Sequence, residues 1–89
     1  MERPDYAKAE AQYREAIAIF TETQSPTHIN VGIARIKLGR ALLRGGRPAE
    51  AEPEILAGID ILQQQTVPSV GWLKNAHDDL AAVRTALSK

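Results

Sequence analysis

Shifted by 42 residues, the sequence lies on itself with eight identities, and they fall where a repeated fold needs them. Ala7 meets Ala49, Ala9 meets Ala51, Glu10 meets Glu52, Ile17 meets Ile59, and Ile19 meets Ile61. Pro26 meets Pro68, Ala34 meets Ala76, and Leu38 meets Leu80. Small residues, core aliphatics and a helix-breaking proline keep their places. One supersecondary unit used more than once and stacked on its copy accounts for such a pattern, because a unit of this size cannot bury its apolar face alone.

Proline and glycine divide the chain at Pro4, Ser25-Pro26, Gly45-Gly46 with Pro48, and Pro68. The segments between them, residues 4–23, 27–45, 48–65 and 69–88, each carry apolar residues at helical spacing. The first presents Tyr6, Ala9, Tyr13, Ala16, Ile17 and Phe20 as one stripe. The second is apolar on two faces, with Val31, Ala34, Leu38 and Leu42 on one and Ile29, Ile33, Ile36 and Leu43 on the other. Such a helix belongs between neighbours. The third carries Ala51, Ile55, Gly58, Ile59 and Leu62; the fourth carries Leu73, Ala76, Leu80, Val83 and Leu87 beside a polar outer face of Lys74, Asp78, Arg84 and Ser88. No segment alternates with period two, so the fold class is all-α.

Ala9-x-x-x-Tyr13-x-x-Ala16 and Ala51-x-x-x-Ile55-x-x-Gly58 resemble the second-helix signature of tetratricopeptide repeats, and Leu38-Gly39-x-x-Leu42 resembles the first-helix signature. The period is similar to that of the longer-helix subtype found in kinesin light chains and many bacterial proteins. The resemblance implies antiparallel helical hairpins stacked as a short right-handed solenoid, with residues 1–89 as a single domain. It also implies the helix order B-A-B-A, one complete repeat at 27–65, and a non-catalytic protein-protein interaction module. The phase predicts either a C-terminal fragment of a larger scaffold or signalling protein or a chain that pairs with its own copy, a dimer being the favoured homo-oligomer. A regulatory tail of an enzyme such as a bacterial protein kinase is the third expectation.

Eleven basic and eleven acidic residues cancel, which argues against general nucleic-acid or membrane-surface binding. The absence of cysteine excludes disulfides, thiolate metal sites and thiol nucleophiles. Neither a signal-peptide pattern nor an apolar run of spanning length is present, so a soluble, cytoplasmic protein is expected. Isolated His28 and His77 offer no metal set, no nucleophilic triad can be assembled, and no cofactor is expected.

Gly39-Arg-Ala-Leu-Leu-Arg-Gly-Gly-Arg-Pro-Ala-Glu-Ala-Glu52 could cradle a phosphate or turn a helical hairpin. Pro48 removes a donor there and Glu50 and Glu52 would repel an anion, so a turn is predicted, closed by a left-handed glycine and reopened by proline. The second segment is a basic rod (Arg35, Lys37, Arg40, Arg44, Arg47) between acidic neighbours. Cross-helix ion pairs are the first expectation for it. The resemblance places Ile33, Ile36, Lys37, Arg40, Leu43 and Arg44, with Asp78 and Asp79 of the fourth segment, in a concave groove for a protein or peptide. Light-chain repeats carry paired asparagines where this chain has Ile36-Lys37 and Asp78-Asp79, which points away from backbone clamping and toward an apolar partner or self-association. Tyr6, Tyr13 and Phe20 form the candidate self-association face, and Trp72 is expected to pack on the third helix.

Overall fold

Every described break in the sequence ends or starts a helix in the computed structural model, which describes residues 5–66 and 70–88. Helix α1 spans Tyr6–Thr23, α2 Ile29–Arg44, α3 Pro48–Gln63 and α4 Val70–Leu87, with no strand among the described residues. Pro4, Pro68 and Ser69, expected at helix boundaries, lie outside the described residues.

Local chemistry sets the ends. The Asp5 carboxylate accepts the Lys8 backbone N–H at 2.9 Å and caps α1. His28 caps α2, its Nδ1 accepting the Asn30 backbone N–H at 3.1 Å. At the end of α2, Arg47 N–H reaches the Leu42 carbonyl at 2.8 Å and Gly46 N–H reaches Leu43 at 3.1 Å. Gly46 sits at φ 82° to allow this paired closure, and Pro48 opens α3 at once. The Gly-Gly stretch is therefore the predicted hairpin turn.

The helices stack in chain order: α1 on α2, α2 on α3, α3 on α4, with α2 also touching α4. Helix α2 is the inner one, as its two apolar faces require; Val31, Ala34, Ile36, Leu38, Ala41 and Leu42 are all buried. They join Ala51, Ile55, Ile59 and Leu62 of α3 and Ala76, Leu80 and Val83 of α4 in the interior. Close approach comes from glycine. A Cβ on Gly58 would stand 2.7 Å from the Gly32 carbonyl oxygen, and one on Gly39 would stand 2.4 Å from Ile55 Cγ1. Helix α1 differs from the rest, since none of its residues is buried; Tyr13 and Ile17 only lean on the core.

Ion pairs lace the outside. Arg35 meets Glu54 at 2.9 Å and Arg84 meets Glu52 at 3.4 Å, while Arg47 bonds both Glu10 of α1 and Glu50 of α3. Hydrogen bonds from Arg14 and then Arg47 hold the Glu10 carboxyl below its ordinary value of 4.5, and Arg47 does the same to Glu50. Because both folded values are depressed, the stabilisation is whole above that ordinary value and is lost as pH falls through the lowered ones. The melting temperature should hold level from about pH 7 to about pH 5 and then drop. Combining Glu10→Gln with Glu50→Gln should shrink that drop in thermal melts. Equal drops in the two chains would show that this triad plays no part in acid sensitivity.

Candidate functional site

Tyr6, Tyr13 and Phe20 recur every seven residues and so fall on one face of α1. Ile33, Lys37, Arg40 and Arg44 follow one another along α2 at spacings of four, three and four. Stacking α1 on α2 turns these two columns toward each other, and they become opposite walls of one open cleft. Its cationic end is lined by Tyr6, Tyr13, Lys37, Arg40, Ala41 and Arg44. The apolar end continues with Tyr13, Ala16, Phe20, Asn30, Ile33, Ala34 and Lys37. The sequence presents the aromatic column and the basic column as two separate faces; the structure makes them a single site. Asn30 joins the cleft with no sequence signal beyond its spacing, three residues from Ile33 and seven from Lys37.

Five of the expected groove residues sit elsewhere or are already engaged. Ile36 is wholly buried, at 0% exposure, because α2 crosses α3 at Gly58 and the Ile36 side chain occupies the room left there. It belongs to the core and presents nothing to a partner. Leu43 is half-buried against the core and is not among the residues lining the cleft. Asp78 is exposed on α4, near Lys74 at 4.0 Å, on the polar outer face. Asp79 does face α2, but its carboxylate accepts two hydrogen bonds from Arg40, at 2.8 and 3.1 Å. Two residues placed in a groove for a partner thus bind each other and tie α2 to α4.

The remaining cations differ in availability. Lys37 Nζ lies 5.5 Å from the centroid of the Trp72 ring, an attraction worth about 0.5–1 kcal/mol at an exposed site. Trp72 packs against the core with Lys37 of α2 over its ring. Arg44, exposed in the last turn of α2, makes no ion pair among the described residues. Cross-helix pairing accounts for Arg35, Arg40 and Arg47, leaving Lys37 and Arg44 to give the cleft its charge.

The repeat explains why the cleft is open. A family model described as tetratricopeptide repeat matches residues 2–64. The chain belongs to the tetratricopeptide-repeat family. The match spans α1, α2 and α3. No curated protein and no solved structure matches the chain. Repeat mates measure the difference between α1 and α3. Ile61 of α3 is 7% exposed, whereas Ile19, its counterpart in α1, is 49% exposed. Tetratricopeptide repeats serve as protein-protein interaction modules. Among the described residues no helix is long and apolar enough to cross a membrane, and no group of three His, Asp or Glu stands close enough to hold a metal ion.

Proposed function

We propose that this chain is a non-catalytic recruiting module that holds a protein partner in the cleft between α1 and α2. One observation carries the reading: a wall of aromatic residues and a wall of cations face each other across surface that no other described residue covers. Tyrosine and arginine, both present in the cleft, are among the side chains that dominate protein interfaces when buried. In this reading the module works in the cytoplasm as part of a larger scaffold or signalling assembly, and the partner supplies apolar contact to Phe20 and Ile33.

A photo-crosslinking amino acid at Ala16, inside the cleft, should trap a protein partner in cells. The same group at Ala81, exposed on α4, should trap none. Equal labelling from both positions, or none from Ala16, would remove the cleft as the partner site. A second reading, pairing of two copies through the same face, draws on the exposure of Ile19 on α1. Sedimentation tests it: a concentration-dependent dimer that Ala16→Arg abolishes would favour the copy over a different partner.

A further inference from the structure

The cleft between α1 and α2 has an internal counterpart. A shift of 42 residues carries α1 onto α3 and α2 onto α4, and the counterpart between α3 and α4 is occupied by α2. The way α2 lies there describes what the open cleft accepts. Gly39 of α2 lies against Ile55, Ile36 lies against Gly58, and Arg40 bonds Asp79. In the open cleft the receiving residues at these registers are Tyr13, Ala16 and Lys37. Each exchange changes what fits. Tyr13 is bulkier than Ile55, so the occupant again needs a small residue opposite it. Ala16 adds a methyl where Gly58 has none, so the occupant's isoleucine must shrink. Lys37 replaces Asp79, so the occupant's cation must become an acid.

We infer that the cleft takes an acidic amphipathic helix of another protein, docked as α2 docks between α3 and α4, with a carboxylate at the Arg40 register paired to Lys37. Arg44 adds to the preference, standing where α4 has Ala86. The inference rests on the cleft being the partner site. A second copy of this chain does not fit. Pairing through this face would bring two cationic columns, each with Lys37 and Arg44, into one interface, and like charges placed across an interface oppose association. Nor does any of the four helices carry small residues at the registers of Gly32, Ile36 and Gly39 followed by an acid at the register of Arg40.

The internal template supplies the probe. A fluorescent peptide of residues 29–44 with Ile36→Ala and Arg40→Glu is compared with one carrying Ile36→Ala alone, each titrated into the intact chain by anisotropy. The acidic peptide should bind about tenfold more tightly, the scale of one exchanged charge pair across an interface. In the chain carrying Lys37→Glu the preference should reverse. With Lys37→Gln, which keeps the stem and removes the charge, most of the preference should disappear. If neither peptide binds, or both bind alike to the unaltered chain, the inference is overturned. Self-association of the chain at the titration concentrations, excluding both peptides whether or not Lys37 is replaced, would overturn it in favour of a second copy.

Discussion

Alanine at Gly58 should lower the melting temperature of this chain by about 10–15 °C, an effect of about 2 kcal/mol. The added Cβ would stand 2.6 Å from Ile36 Cγ1 and 2.7 Å from the Gly32 carbonyl oxygen. A side chain can rotate away, but a carbonyl inside a helix cannot, so α2 and α3 must separate where the core is tightest. Alanine's better helix propensity returns about 1 kcal/mol, which is already set against the overpacking in the net figure. Gly71→Ala is the matched control, since no described residue lies within 4 Å of its Cβ position and only the propensity gain remains. Thermal melts followed by circular dichroism read both. If Gly58→Ala melts with the parent chain, α2 and α3 do not approach as closely as their glycines indicate.

The second large effect separates two isoleucines that the repeat makes equivalent. Ile61→Ala should cost about 3 kcal/mol, because it empties a site that Gly32 and the rest of α2 have closed around. Ile19→Ala should cost less than about 1 kcal/mol, because half of that side chain is already in water. Urea titration of the two variants gives both values. Similar costs would mean that α1 is covered in solution as α3 is covered in the structure, and would direct attention to self-association. The contrast also marks α1 as the repeat's uncovered helix: it keeps the apolar residue that α3 buries and leaves it half in water.

Helix number, order and approximate ends follow from local rules. Stripes at helical spacing mark α1 to α4, and the Gly-Gly-Arg-Pro run supplies the left-handed closure and the proline restart between α2 and α3. The small residues at Gly39, Ala51 and Gly58 announce close helix packing, and the structure places all three at the α2–α3 crossing. Gly32, seven residues before Gly39 on α2, carries the same duty against Gly58 and Ile61, and no short motif marks it. Pro53 shows the opposite limit of local rules. A proline inside α3 is tolerated because its ring is exposed and the N–H it lacks leaves only the carbonyl of Ala49, itself exposed near the helix start, without an intrahelical donor.

The candidate site is only half readable in this way. Spacing alone puts Lys37, Arg40 and Arg44 on one side of α2, and Tyr6, Tyr13 and Phe20 on one side of α1. Which side meets which depends on how the helices rotate about their own axes when they pack, and no local pattern encodes that angle. Ile36 stands one residue from Lys37 in sequence, yet it is sealed in the core while Lys37 lines the cleft. Arg40 and Asp79 are 39 residues apart and find each other only once α2 lies against α4.

From its sequence alone this protein was determined to be all-α, to repeat with a 42-residue period, and to turn at Gly45-Gly46. Helix and turn are settled by residues within a helical turn or two of one another, and the period is plain when the chain is laid on itself. Tertiary structure alone decided that Arg40 is spent on Asp79, that Ile36 is core, and that aromatic and cationic columns share one cleft. Those outcomes depend on the crossing and rotation of whole helices, where a few close contacts between distant residues select one arrangement from the many that the same stripes allow.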